Sequence, residues 1–189
     1  SMAVLNMPFD TNTQGPISDY STYNNTGSLF GPTWTNAGKI GGAYVFDGND
    51  DYINVNNHES LNPGIESFTV ETWIKPNRIN GIQRFIWKND GSGGGHFNGY
   101  YMMLSDSTFY FGIGDGSSTA EPAGSNAQIG NWYHVVGVRN RDFNKVSLFV
   151  NGIEVAQVSE DFENVNYNGD LSFGGRPPLG EMTAATIDE

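Results

Sequence analysis

Short apolar segments that alternate with polar residues recur along most of this chain, and turn-forming residues separate them. Strand-like segments are predicted at residues 43–46, 52–55, 68–75, 83–88, 100–104, 108–113, 132–139, 145–150 and 171–173. No apolar period of 3.6 residues persists for three turns, and the Asn-Gly pairs at Asn151 and Asn168 favour hairpin turns. The pattern predicts an all-β fold, an antiparallel β-sandwich or jelly roll. Residues 3–10 are predicted to add a short edge strand interrupted by Pro8.

The charge balance narrows the classes of partner. The chain has 9 Lys and Arg against 21 Asp and Glu, a formal net charge of −12. The electrostatic field of this negative charge disfavours binding to nucleic acid and to anionic membrane surfaces. No apolar run approaches the ~20 residues of a membrane helix, so membrane insertion is not expected. The 189 residues suit one domain, and without cysteine its stability must come from packing, helped by a metal ion if one binds.

Alternation assigns the side chains of each strand to two faces. The predicted core face comprises Phe68, Val70, Ile74, Phe109, Phe111, Ile113, Val136, Val138, Val146, Leu148 and Val150. The predicted outward face comprises Glu71, Trp73, Tyr110, Gly112, Tyr133, Gly137 and Arg139. His134 shares the phase of the core valines and is expected to be a hydrogen-bonded core histidine. An outward aromatic ring beside a glycine would leave an open floor on which a flat ligand could stack.

An alternating apolar run breaks at an acidic turn, Asp47-Gly48-Asn49-Asp50-Asp51, and then resumes. The segment predicts a β-hairpin with a charged tip. Three aspartates within five residues repel one another, so solvent, backbone N–H donors or a hard cation must offset their charge. A solvated tip held by Asx-turns and a cation site both satisfy this requirement.

Five motifs in order carry a resemblance to a known family: residues 38–52, 68–75, 130–136, 150–152 and 187–189. They resemble the laminin-G-like jelly-roll domains of the concanavalin A-like lectin/glucanase superfamily over nearly the whole chain. The resemblance implies a single domain over residues 1–189 with two curved antiparallel sheets. It also implies an extracellular module, secreted or at the cell surface, with neighbouring domains in a larger chain. The family pattern continues past Glu189, which predicts truncation within the C-terminal strand.

The resemblance further implies a structural calcium ion where the first strand, the acidic hairpin and the last strand converge. Carried over by position, its ligands are Asp10, the Gly48 carbonyl, Asn49, Asp51 and Asp188. Calcium suits this set because it is a hard cation that takes six to eight oxygens. The ion would join the N-terminal strand to the last one.

Catalysis by paired carboxylates is the main enzymatic alternative, because glucanases share the superfamily. Their Glu-x-Asp-x-x-Glu string, which sets acid and nucleophile on one face of a strand, is absent. The closest match, at residues 160–163, falls in a predicted loop. Cysteine and Gly-x-Ser-x-Gly are missing, and His58, His96 and His134 have no zinc-binding spacing. The chain is therefore not expected to be an enzyme.

Outward aromatic residues are the remaining functional signal. The candidate ligand-binding residues are Trp73, Trp87, Tyr101, Tyr110 and Arg139. The rings could stack on sugars and Arg139 could bind hydroxyls, although packing explains the rings equally well. The leading hypothesis is a non-catalytic carbohydrate-binding module. The alternative is a protein-interaction or cell-adhesion module that binds an extracellular protein through residues 91–99 or 117–128.

Overall fold

The computed structural model describes residues 3–91, 96–175 and 181–188. Within these ranges the chain forms fifteen β-strands and one turn of 3₁₀ helix at Glu59–Leu61. The strands are β1 (Gly27–Phe30), β2 (Thr33–Thr35), β3 (Ala43–Asp47), β4 (Tyr52–Val55), β5 (Phe68–Pro76), β6 (Ile82–Asn89), β7 (Asn98–Ser105), β8 (Thr108–Asp115), β9 (Thr119–Ala120), β10 (Ala123–Asn126), β11 (Tyr133–Asn140), β12 (Lys145–Val150), β13 (Ile153–Ser159), β14 (Leu171–Phe173) and β15 (Ala184–Asp188). The predicted all-β class is confirmed. No helix in the described ranges has the length and apolar character that a membrane crossing requires.

The strands form two antiparallel sheets that pack face to face. The eight-stranded sheet has the order β1-β4-β14-β6-β7-β8-β10, with β9 also paired to β8. The seven-stranded sheet has the order β13-β12-β11-β5-β15-β3-β2. Strands distant in sequence are neighbours, since β14 lies between β4 and β6 and β15 lies between β3 and β5. Such long connections distinguish a jelly-roll sandwich from a simple meander.

The core lies between the two sheets and follows the alternation of several strands. Phe109, Phe111 and Ile113 of β8 are fully buried, and so are Val146 and Leu148 of β12. Each such side chain contributes about 1.5–3 kcal/mol by leaving water. These predicted core positions are confirmed.

The predicted phase of β11 is wrong. Val135 and Arg139 are fully buried, whereas Val136, Val138 and His134 are only half-buried on the other face. A shift of one residue moves every side chain of a strand to the opposite face, and the Val135-Val136 pair is compatible with either choice. His134 is therefore not a core histidine.

The predicted strand at residues 3–10 is also absent. Pro8 has no N–H for a ladder, and Phe9 adopts a left-handed conformation with φ of 58°, which ends any extended run. The segment is instead held by individual hydrogen bonds. The buried carboxylate of Asp19 accepts bonds of 2.9 and 2.8 Å from the backbone N–H groups of Asn6 and Asn25.

Candidate functional site

Three aromatic side chains cluster on the outer face of the eight-stranded sheet, separate from the main core. Trp87 of β6 and Tyr101 of β7 are cross-strand neighbours whose stacked rings have centroids 5.7 Å apart. Phe97 packs against Tyr101 at 5.2 Å. Trp87 is 8% and Tyr101 3% exposed, while the half-buried Met103 and Tyr110 extend the surface towards solvent. These five residues are called the aromatic cluster below.

The guanidinium of Arg84 covers part of the aromatic cluster. Its central carbon lies 4.4 Å from the ring centroid of Trp87 and 5.1 Å from that of Tyr101, both within cation–π range. Glu181 pairs with this guanidinium, and Glu121 accepts a hydrogen bond from the Tyr101 hydroxyl. Burial, with Glu121 adding to it, raises the pKa of Tyr101, so the hydroxyl remains a donor at neutral pH. The cluster thus has one cation and two anchored carboxylates at its margin.

The Tyr101 ring lies directly over Gly112, its cross-strand partner in β8. A Cβ at Gly112 would lie 2.4 Å from that ring. The predicted open floor at Gly112 is therefore wrong, because Tyr101 fills it. The space beside Gly137 is filled in the same way, since a Cβ there would lie 2.3 Å from the Phe111 ring of the facing sheet.

The structure brings together three of the five predicted ligand-binding residues, Trp87, Tyr101 and Tyr110. Trp73 lies in the other sheet, in β5. Its ring stacks on His134 at 5.0 Å, and the Lys39 ammonium lies 4.6 Å from the ring centroid. These contacts leave less of the Trp73 ring open to a ligand.

Arg139 does not face outward, contrary to the prediction. Its side chain is wholly buried and pairs with the equally buried Glu160 at 3.1 Å. The guanidinium also donates to the backbone carbonyls of Gly64 at 2.8 Å and Phe162 at 2.7 Å. No exposed surface of Arg139 remains for a ligand.

Sequence reasoning misses Arg84, Glu121 and Glu181. Arg84 precedes Trp87 by three residues, so strict alternation puts the two on opposite faces. A register shift between Arg84 and Ile86 inserts one residue and returns Arg84 to the face of Trp87. Glu121 and Glu181 reach the cluster from distant segments with no local signal. The dense aromatic run of residues 97–111 is the one sequence cue to this surface.

The acidic turn brings together three carboxylates at the C-terminal end of β3. One oxygen each of Asp47, Asp50 and Asp51 lies within 4.8 Å of the others. Burial raises the pKa of Asp51, and repulsion from the two neighbouring carboxylates adds to the effect. Asn49 donates two hydrogen bonds of 2.8 Å to Asp47 from its backbone and side chain. The group could hold a metal ion, because carboxylate oxygens are the ligands that hard cations prefer.

The other predicted calcium ligands lie at the opposite end of β3. The buried carboxylate of Asp188 accepts two backbone N–H groups of the loop before β3, at 2.6 and 2.9 Å, and Asp10 accepts a third at 3.0 Å. Four residue steps separate the ends of β3, or about 14 Å. Asp10 and Asp188 therefore do not meet Gly48, Asn49 and Asp51, and the predicted site joining all five is not formed.

The loops proposed for the alternative function are described in part. Residues 92–95 of the 91–99 loop lie outside the described residues, and Asn98 already belongs to β7. The 117–128 segment contains the short strands β9 and β10 and is therefore not a continuous loop.

A family model described as the concanavalin A-like lectin/glucanases superfamily, of the laminin G type, matches residues 47–189. This match covers most of the chain, and the two-sheet sandwich agrees with it. The chain belongs to this superfamily. The resemblance inferred from the five sequence motifs is thereby confirmed.

Two of the solved structures similar to this chain are binding domains of toxins. The binding domain of Paraclostridial Mosquitocidal Protein 1 has a TM-score of 0.76 and 19% identity, covering 97% of this chain and 47% of that one. The binding domain of botulinum neurotoxin DC, in complex with rat synaptotagmin II, has a TM-score of 0.72 and 14% identity, covering 98% and 46%. This chain thus spans about half of those domains. At such identities the likeness shows the fold.

A third similar structure matches nearly end to end. Domain 4 of AbnA, a GH43 extracellular arabinanase from Geobacillus stearothermophilus, is in complex with arabinotriose. It has a TM-score of 0.69 and 19% identity, covering 100% of this chain and 91% of that one. No curated protein sequence matches this chain significantly.

Proposed function

We propose that this chain is a non-catalytic carbohydrate-binding module that holds a glycan at the aromatic cluster. The observation that carries the proposal is the placement of Arg84, Glu121 and Glu181 around the rings of Trp87 and Tyr101. A sugar offers an apolar C–H face and a rim of hydroxyls. An apolar surface bordered by charged hydrogen-bonding groups complements both.

The charged groups are held in place before a ligand arrives. Arg84 is fixed by ring contacts and by Glu181, and Glu121 is fixed by the Tyr101 hydroxyl. Little side-chain entropy is lost when such groups bind, which favours affinity on a shallow surface. Trp87 and Tyr101 are too buried to stack fully on a sugar, so the half-exposed Tyr110 is the ring that would meet it.

The similar structures support an extracellular role within a larger chain. One is a domain of an extracellular arabinanase with arabinotriose, and others are binding domains of toxins. On this proposal the chain is one domain that tethers neighbouring domains to a polysaccharide. Weak single-site affinity would then be raised by linkage to those domains.

We also propose that Asp47, Asp50 and Asp51 hold a structural calcium ion. The donor set fits, since it provides several carboxylate oxygens within a few ångströms and one of them is partly desolvated. Burial raises the pKa of Asp51, and a cation would relieve the repulsion from Asp47 and Asp50 that adds to this effect. Because Asp10 and Asp188 bind backbone N–H groups elsewhere, they are not assigned to this ion.

Affinity electrophoresis in gels that contain soluble polysaccharides, arabinan among them, tests the carbohydrate proposal. The wild type should be retarded by at least one polysaccharide, and Tyr110→Ala and Arg84→Met should lose that retardation. Phe143→Ala is the matched control, because Phe143 is an aromatic residue 71% exposed on the β11–β12 turn. Equal retardation of all four proteins, or of none, would reject the site.

A protein-interaction module is the second candidate function. Ile65 and Phe143 are 61% and 71% exposed. They lie on adjacent loops joined by a 3.0 Å hydrogen bond from the Arg141 N–H to the Ser67 hydroxyl. A contiguous exposed apolar patch is typical of a protein-contact surface, and this function requires that Ile65 and Phe143 contribute to one. This function predicts that Phe143→Ala weakens cell or receptor binding while Tyr110→Ala leaves it intact.

A further inference from the structure

A cavity of about 140 Å³ lies in the N-terminal segment, outside the residues that the family model matches. Its lining includes the apolar residues Phe9, Pro16 and Ile17 and the polar residues Asp10 and Thr11. Tyr20 also lines the cavity, and 67% of its surface is exposed. The volume is comparable to that of one sugar ring, so a small ligand could enter but a folded protein could not.

The walls of this cavity are tied to the two sheets although the segment has no strand of its own. Ile17 exchanges two backbone hydrogen bonds with Gly27 of β1, at 2.7 and 3.0 Å. The Trp34 indole N–H of β2 donates to the Phe9 carbonyl at 2.9 Å. Asp10 accepts the Gly42 N–H at 3.0 Å. The cavity is therefore preformed.

The wall residue Phe9 is held in a strained conformation. Its φ of 58° is rare for a residue with a bulky side chain. Its buried ring packs edge-on against Tyr44 at 5.4 Å and Phe173 at 6.0 Å, which keeps it there. Strained backbone is concentrated where a protein shapes a binding surface, so this outlier points to a site.

We propose that this cavity is a second binding site for a single neutral sugar ring, with its own residues and distinct from the aromatic cluster. The exposed Tyr20 ring stacks on the C–H face, and Asp10 and the Thr11 hydroxyl bind the sugar hydroxyls. The Asp10 carboxylate and the net charge of −12 oppose an anionic ligand. The polar lining residues Asp10 and Thr11 disfavour a purely apolar ligand.

Titration of ¹⁵N-labelled protein with L-arabinose, D-glucose, D-galactose and N-acetyl-D-glucosamine, followed by amide NMR shifts, tests this site. One of these sugars should shift the amides of residues 9–20 with a Kd of millimolar order. Tyr20→Ala should weaken this binding about tenfold, since the lost stacking has that size. Asp10→Asn should weaken it too while keeping an oxygen that accepts the Gly42 N–H. Tyr110→Ala should leave it unchanged.

Three results would overturn the second site. One is that none of the four sugars shifts residues 9–20. Another is that Tyr20→Ala and Asp10→Asn both bind like the wild type. The last is that shifts occur at the aromatic cluster alone, which would support the first site while rejecting this one. Because Tyr20 is exposed, its variant should fold, and dispersed amide signals would verify this.

Discussion

Arg139 and Glu160 form an ion pair in which both side chains are wholly buried and Nε lies 3.1 Å from Oε1. Arg139 belongs to β11 and Glu160 follows β13, so the pair fastens the irregular segment before β14 to the seven-stranded sheet. Removing two charges from water is costly unless further hydrogen bonds satisfy them. The Phe162 N–H supplies one to Glu160 at 2.9 Å, and the Gly64 carbonyl accepts one from Arg139. Arg139, the buried cation of β11, therefore contributes to the stability of the fold.

Arg139→Met should lower the free energy of unfolding by about 3–5 kcal/mol, because it leaves the Glu160 carboxylate buried and unpaired. Urea unfolding followed by tryptophan fluorescence measures this change. The double variant Arg139→Met with Glu160→Met should recover much of the loss. Arg141→Met is the control, since Arg141 pairs with the same carboxylate but is 29% exposed and should cost about 1 kcal/mol or less. Equal losses for the two arginines would contradict this account.

Stability should fall in acid partly through Glu160. Burial pushes its pKa up, but hydrogen bonds from Arg139, Phe162 and Arg141 outweigh burial and hold the pKa below the ordinary 4.5. The pKa of Glu160 is lower in the folded state than in the unfolded state. Its stabilising contribution is therefore present above the unfolded-state pKa and is lost as the pH falls through the folded-state pKa. Glu160→Gln should therefore flatten the decline in unfolding free energy below pH ~4.5. The same decline in wild type and variant would exclude this role, with the exposed Glu163→Gln as control.

Gly112→Ala should displace Tyr101, because the new Cβ would lie 2.4 Å from its ring. Overpacking of this kind costs about 1–3 kcal/mol, and it should also abolish glycan binding by disturbing the aromatic cluster. Thermal unfolding and affinity electrophoresis measure the two effects. Gly15→Ala is the control, since the nearest atom to its new Cβ would be 3.8 Å away. Unchanged binding by Gly112→Ala would show that the glycan does not depend on Tyr101.

Calcium should raise the melting temperature, and Asp51→Asn should remove most of the shift. At about 100 times Kd, a ligand of the folded state adds about 2.7 kcal/mol, or roughly 5–10 °C for a chain of this size. Asp51 has a raised folded-state pKa, so without calcium its contribution is favourable in acid and is lost as pH rises through that value. The calcium shift should accordingly be larger at neutral pH than in acid.

The variant Asp188→Asn distinguishes a calcium site at the acidic turn from one at the opposite end of β3. Its carboxylate accepts backbone N–H groups at the end away from the acidic turn, so the variant should lose stability equally with calcium and with chelator. A calcium shift that disappears in both Asp188→Asn and Asp51→Asn would favour the ligand set carried over from the family, because that set contains both carboxylates. If calcium does not shift the melting temperature of the wild type, the acidic turn holds no calcium and is solvated.

The fold was predictable because apolar and polar residues alternate along most strands and turn-forming residues separate the strands. β4, β12 and β14 occupy the predicted residues, and β3, β5 and β8 differ by one or two. The missed strands have weaker signals. β13 is an edge strand with mostly exposed residues, and β15 reads Ala-Ala-Thr-Ile-Asp, a short run with little apolar pattern. Its central position depends on pairing with β3 and β5, which sequence periodicity does not encode.

The candidate site was predictable only in part, for identifiable physical reasons. Trp87, Tyr101 and Tyr110 follow from alternation on adjacent strands. Arg84 required a β-bulge that strict alternation cannot show, and Arg139 was misassigned because a buried arginine is rare without a partner such as Glu160. The prediction of one calcium site that joins Asp10, Gly48, Asn49, Asp51 and Asp188 was wrong. Residues that belong to one family pattern need not converge in space, and here they lie at opposite ends of β3.

A crystal structure with the oligosaccharide that the electrophoresis selects, or with arabinotriose if arabinan is selected, would locate the glycan. A sugar ring should lie over Tyr110 and Met103, with its hydroxyls hydrogen-bonded to Arg84, Glu121 or Glu181. A ligand seated on other residues, with the aromatic cluster bare, would contradict this placement.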